Sequence, residues 1–137
     1  MAYWLMKSEP DVFGWDDLVA KGVSPWDGVR NYQARNFLRD MAVGDQAFFY
    51  HSRTGLVIVG IMDIVAPAYP DPTAPDPKWV CVDVKAVRTF DHPVTLEAIK
   101  QDPRLSDMVL VKNSRLSVQP VTANEWQLTC AWGLKKA

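Results

Sequence analysis

Residues that ligate metals or carry redox chemistry are scarce in this chain. It has two histidines and two cysteines among 137 residues. Cys81 and Cys130 lie far apart and match no metal or disulfide-exchange spacing, so reduced thiols in a cytoplasmic or nuclear setting are expected, with no metal site and no cofactor. No apolar run approaches the roughly 18 residues of a membrane span, and the N-terminus lacks a signal-peptide pattern, so no membrane role is expected. An excess of either charge is also missing. At a formal net charge of −1, long-range attraction to nucleic acid is weak. A nucleic-acid role would have to come from a local basic patch and a specific pocket. Repeats, low-complexity tracts, paired-carboxylate motifs and a nucleophile elbow are all lacking, and one domain spanning residues 1–137 is expected, as a monomer.

What the chain does have is tryptophan, six in all, and each ring needs a core or a ligand to cover it. One of them opens the most informative stretch, Trp26-Asp27-Gly28-Val29-Arg30-Asn31-Tyr32-Gln33-Ala34-Arg35-Asn36-Phe37-Leu38. Asp27-Gly28 favours a turn that would leave the Trp26 ring beside whatever lies above it. Asn31 suits an N-cap, after which Ala34, Phe37, Leu38 and Met41 recur at helical spacing as one apolar stripe. Arg35 and Arg39 stand four apart on another face, a repulsive pairing unless an anion lies across them. Arg30 beside a helix N-terminus adds to that anion-attracting character. A surface helix with solvated arginines and a core tryptophan would carry the same pattern.

The flanking segments read mostly as strands. Tyr3–Lys7 has the look of a buried strand that stops at Ser8-Glu9-Pro10. Phe13–Val19 reads as a short helix closed by Gly22, and Gln46–Ser52 as a strand apolar on both faces. Leu56–Ala66 is β-rich, with Gly60 suggesting a bulge or corner. Pro67–Pro77 holds five prolines in eleven residues and predicts a polyproline-like surface loop. Trp79–Phe90 alternates as a half-exposed strand. Thr95–Asp102 reads as a capped helix ended by Pro103, Met108–Val111 as another apolar strand, and Thr122 with Glu125 as a capping box opening the last helix. The fold class is therefore α+β: five to six strands in a mixed, mostly antiparallel small barrel with peripheral helices.

Polar strand ends gather at Lys7-Ser8-Glu9, Tyr50-His51-Ser52 and Asn113-Ser114-Arg115-Leu116-Ser117. If they converge on the Trp26–Asn31 turn, they make one aromatic-floored, hydrogen-bonding pocket with a basic rim. The Lys7-Ser8-Glu9-Pro10, Trp26-x-Gly28-Val29-Arg30-Asn31-Tyr32-Gln33-Ala34-Arg35-Asn36 and Ser114-Arg115-Leu116-Ser117 segments resemble the EVE domain, and the likeness covers nearly the whole chain. The resemblance implies a PUA-like barrel, related in fold to the YTH domains that read a methylated base in RNA. It implies a non-catalytic reader of a modified base in DNA or RNA, with modified cytosine in DNA the leading class.

On that basis the candidate base pocket comprises Lys7, Ser8, Glu9, Trp26, Val29, Arg30, Asn31, Tyr50, His51, Ser52, Arg115, Leu116 and Ser117, and the candidate phosphate contacts are Arg35, Arg39 and Lys112. Trp26 is the expected stacking platform, and Ser8, Asn31 and Ser117 the expected partners of the base edge. The expected location is cytoplasmic, with access to the nucleoid in a bacterium, and nuclear in a eukaryote. Two other readings share these residues. One is a nucleic-acid-processing enzyme using His51 with Glu9 or Asp27. The other is a small-molecule or peptide module that uses the same pocket for a nucleotide-like ligand or a peptide, with the Pro67–Pro77 loop as its main support.

Overall fold

Alternation along two central strands sorts side chains into two separate cores. The computed structural model describes residues 1–134; the last three residues of the expected 1–137 unit lie outside the described residues. In β1 (Tyr3–Ser8), Trp4 and Met6 enter one core and Leu5 the other. In β3 (Gln46–His51), Ala47 and Phe49 face the first core, Phe48 and Tyr50 the second. That is why β3 is apolar on both faces: helices cover it on both sides. The first core is closed by α2 (Trp15–Lys21) and α3 (Tyr32–Asp40), the second by α4 (Leu96–Gln101), α5 (Val109–Lys112) and α6 (Ala123–Gly133).

The sheet is completed by β2 (Val23–Pro25), β4 (Val57–Pro70), β5 (Val80–Thr95) and β6 (Val118–Val121), in the order β2-β5-β4-β3-β1-β6. Among the described residues only β1 and β3 run parallel; the remaining neighbours are antiparallel. The expected α+β class holds, with six strands and peripheral helices among the described residues, although the sheet ends at β2 and β6 instead of closing on itself. Both edge strands carry a proline, Pro25 and Pro120, at positions where the lost donor is tolerated.

The caps fall where the side chains predict. Asn31 accepts from Ala34 N–H at 2.9 Å, Thr95 accepts from Ala98 N–H at 3.1 Å, and Thr122 with Glu125 forms the reciprocal capping box. Gly60 does mark a register shift in β4, and its missing Cβ has a second cause: the Trp15 indole occupies the space a Cβ would take. Any side chain there would drive the ring out of the first core.

Four expectations are corrected. Met108–Val111 is not a strand; Val109–Lys112 is one helical turn, with Met108 and Leu110 in the second core and Val109 against the first. A short apolar run cannot distinguish the two by periodicity. The Phe13–Val19 helix is two pieces, α1 (Pro10–Phe13) and α2, split at an extended Gly14 whose N–H is held by Asp17 Oδ2 at 2.7 Å. The proline-rich stretch is strand as far as Pro70, because β3 pairs with β4 only up to Asp63 and leaves the later edge free for prolines. Finally, β5 continues past Phe90 to Thr95.

Candidate functional site

The ends of β1 and β2, helix α1 and the Trp26–Arg30 turn enclose a cavity of about 510 Å³. Its lining includes Lys7, Ser8, Trp26, Val29, Arg30 and Ser117 from the expected pocket, and Val12, Phe13, Lys21, Ser24, Pro25, Asp27 and Gly28 besides. The size falls within the range of sites that hold small organic ligands. Three cations, Lys7, Lys21 and Arg30, line it against one carboxylate, Asp27. A protein close to neutral overall thus concentrates positive charge at one opening.

Each wall has a local cause. Trp26 donates its N–H to Val82 O at 2.7 Å, continuing the β2–β5 pairing, and its ring meets Phe49 edge-on at 5.3 Å. It is only 7% exposed and belongs to the first core as well as to the cavity wall. Gly28 then adopts φ 82°, a left-handed turn closed to most side chains, and donates its N–H to Asp71 Oδ2 at 2.8 Å. The same oxygen takes Arg30 Nη1 at 3.0 Å, while Arg30 Nη2 donates to Thr73 Oγ1 at 3.0 Å. Asp71 is fully buried at the side chain. Burial pushes its carboxyl pKa up, but hydrogen bonds from Thr73, Gly28 and Arg30 outweigh that and hold it at about 2.

Inside the cavity, hydrogen-bonding capacity is unevenly committed. Ser8 Oγ donates to Phe13 O at 2.6 Å and Ser24 Oγ to Pro25 O at 3.0 Å, so both hydroxyls keep only acceptor capacity. Ser117 accepts Lys7 N–H on its backbone carbonyl at 2.9 Å, which pins β1 against the 113–118 segment. The Lys7 ammonium donates to Ser114 O at 2.7 Å and lies 5.6 Å from the Tyr50 ring centroid; partial burial lowers its pKa.

The remaining predicted residues take other places. Asn31 is exposed and spends its side-chain oxygen on the α3 cap, so it does not line the cavity. Tyr50 is buried in the second core, on the far face of β3 from Phe49. His51 Nε2 accepts the Trp15 N–H at 3.1 Å, and burial lowers its pKa although Asp16 acts in the opposite sense. Glu9 pairs with the exposed Arg53 at 3.3 Å, and Ser52 donates its N–H to Ser8 O. Leu116 is core, Arg115 is exposed, and Lys112 pairs with Asp107 at 2.9 Å. Arg35 and Arg39 lie outside the cavity on α3; Arg35 stacks 5.1 Å from the Tyr32 ring centroid.

Val12, Phe13, Lys21, Ser24 and Asp71 were not singled out from sequence. Asp27-Gly28 marked the turn, but nothing local signals that α1 and β2 fold over it. The proline-rich surroundings of Asp71 disguise a buried anchor as a loop residue.

The EVE domain sequence profile matches residues 2–132. The chain belongs to the EVE domain family. It is 44% identical to thymocyte nuclear protein 1 of Mus musculus, an alignment covering 90% of this chain and 70% of the relative. Its fold superposes on Atu2648 from Agrobacterium tumefaciens with TM-score 0.96 at 48% identity, over 99% of this chain and 97% of that one. Human THYN1 protein, solved in complex with 5-methylcytosine containing DNA, superposes with TM-score 0.89 at 38% identity over 100% of both chains. The YTH domain of Zygosaccharomyces rouxii MRB1, at 16% identity and TM-score 0.64 over 99% of this chain and 86% of that one, shares the fold. The likeness to the YTH fold implied by the sequence segments is therefore observed, with an open sheet in place of a closed barrel. Among the described residues no helix is long and apolar enough to cross a membrane.

Proposed function

We propose that this EVE domain reads a modified base, a modified cytosine in DNA, drawn out of its stack into the cavity beside Trp26. The observation that carries the reading is the cavity itself: an aromatic wall, serine acceptors and a cationic opening, with Lys7, Ser8, Trp26, Arg30 and Ser117 supplied by the segments that carry the family likeness. Extruding a base costs a few kcal/mol. An aromatic wall returns about 1–3 kcal/mol of that. The human relative solved with methylated DNA supports the ligand class.

The role is binding without catalysis. His51, the residue an enzyme reading would use, spends its Nε2 on the Trp15 N–H. The small-molecule or peptide alternative leans on Pro67–Pro77, and that segment is strand as far as Pro70 and then a loop tied to the turn by Asp71. It serves as scaffold for the site.

The test is a titration over short DNA strands that differ only in one central base. Micromolar, salt-sensitive binding with a preference for modified over plain cytosine is expected. Equal affinity for every base would sink the proposal.

A further inference from the structure

Beyond the cavity, on the outer side of Arg30, two aromatic rings and a group of cations form a second surface. Tyr32 is the first residue of α3 and is 55% exposed, far more than its size warrants for a core role. Its ring lies 5.0 Å from that of Trp79. The Arg35 guanidinium stands 5.1 Å from the Tyr32 ring, and Lys78 stands 5.4 Å from Tyr32 and 5.5 Å from Trp79. Arg30 stands 5.9 Å from Trp79 while also lining the cavity, so it belongs to both surfaces.

Among the described residues only part of this positive charge is paired with a carboxylate. Asp71 pairs with Arg30, and Asp76 pairs with Lys78 at 3.5 Å. Among the described residues Arg35 donates to the neutral Asn36 Oδ1, at 2.8 and 3.2 Å, Arg39 reaches the Lys78 carbonyl at 3.5 Å, and neither meets a carboxylate. Cation–π contact with one exposed ring, Tyr32, and one half-buried ring, Trp79, holds these cations in place but does not neutralise them, so the surface keeps charge for an anion. Stackable rings interleaved with phosphate-seeking cations are the composition that single-stranded nucleic acid requires.

We infer that the Tyr32–Trp79 pair, with Arg35, Arg39 and Lys78, is a strand platform that stacks a nucleotide next to the one in the cavity and holds its phosphates. Arg30 sits at the junction, so the strand runs from cavity to platform past its guanidinium. The location of the platform beside the cavity rests on the base-reading proposal; its affinity for a strand does not.

The experiment compares short single-stranded DNAs carrying one central 5-methylcytosine, with either normal or abasic neighbours, on wild type and on Tyr32→Ala and Tyr32→Leu. Wild type should lose about tenfold in affinity when the neighbours become abasic. Tyr32→Ala should lose about as much on the normal strand and little more on the abasic one, because the stacking partner is already gone. Tyr32→Leu, which still covers Trp79 but has no π face, should behave like Tyr32→Ala. Equal penalties for Tyr32→Ala on both strands, wild-type binding by Tyr32→Leu, or no effect of either variant would each overturn the platform. A plain-cytosine strand separates the two proposals. If it binds wild type as well as the methylated strand and Tyr32→Ala still weakens it, base reading fails and the platform stands.

Discussion

Arg30 and Asp71, 41 residues apart in the chain, meet at 3.0 Å, and their contact joins the Trp26–Arg30 turn to the proline-rich loop. Asp71 is the buried member and also takes N–H groups from Gly28 and Thr73. Removing it strands those donors and frees Arg30. Asp71→Ala should therefore lower stability by about 2 kcal/mol or more in urea denaturation, and weaken strand binding through the displaced arginine. The carboxyl pKa lies at about 2, below its ordinary 3.8. The stabilisation is thus fully present above about pH 4 and is lost as pH falls through about 2. An unchanged acid limb in Asp71→Asn would show that the loop is held by something else.

His51 offers the cleanest separation of structure from chemistry. As acceptor of the Trp15 N–H it must be neutral at Nε2, and its pKa is depressed by burial, with Asp16 opposing. A depressed pKa means the unfolded chain binds the proton first, so this contribution exists above the ordinary value near 6.5 and fades as pH falls through the folded one. His51→Ala should cost about 1–3 kcal/mol of stability through the unpaired N–H and leave DNA affinity unchanged. It should also flatten the stability difference between about pH 8 and about pH 5. Loss of a strand-cleaving activity in this variant would restore the enzyme reading.

How much of this was legible in the sequence follows the range of the interactions. Asn31, Thr95 and the Thr122–Glu125 pair act within one turn of backbone, and each was found where its side chain chemistry placed it. The Trp26-Asp27-Gly28 turn and the Ser117 segment were visible, whereas their convergence with Lys7 and Ser8 could be posed only as a condition, because sequence carries no distances. Asn31 caps α3 through its Oδ1, which the sequence showed, but its place outside the cavity lining is set by the turn's geometry and not by its chemistry, since the cap leaves its Nδ2 donors for another partner. Tyr50 shows the period-two rule at work: next to Phe49 in sequence, it points to the opposite core. Lys21, Ser24 and Asp71 join the site only through the β2–β5 pairing and the fold of the loop, which no local pattern encodes.

Trp26 is at once wall and core, which changes what its removal should do. With 7% exposure and an edge-on contact to Phe49 at 5.3 Å, Trp26→Ala should lose about 3 kcal/mol or more of stability. Trp26→Phe keeps most of the packing and should retain the fold while losing about 1 kcal/mol of binding. Affinity in Trp26→Phe equal to wild type, with the cavity intact by NMR, would move the stacking surface elsewhere.

Arg35 should act on the backbone and not on the base. Its guanidinium lies on Tyr32, outside the cavity. Arg35→Ala should weaken methylated and unmethylated strands alike and reduce the slope of log affinity against log salt by about one. A loss confined to the methylated strand would place Arg35 in base recognition.

Selectivity is where the proposal takes most risk. A bare methyl adds little area, worth under about 1 kcal/mol by burial, so preference for methylcytosine over cytosine should be modest, about tenfold or less. A stronger preference needs a polar substituent to find a partner, and the cavity narrows the choice. Ser8 and Ser24 have committed their hydroxyl protons to Phe13 and Pro25 carbonyls, whereas Ser117 lines the same cavity and holds its place through its backbone carbonyl. Hydroxymethylcytosine should therefore bind more tightly than methylcytosine, and Ser117→Ala should erase mainly that increment, about 1 kcal/mol. Isothermal titration of plain, methylated and hydroxymethylated strands against both proteins measures it directly. If Ser117→Ala lowers all three affinities equally, Ser117 shapes the cavity without reading the substituent, and the oxygen must be read from Asp27 or a cation at the rim.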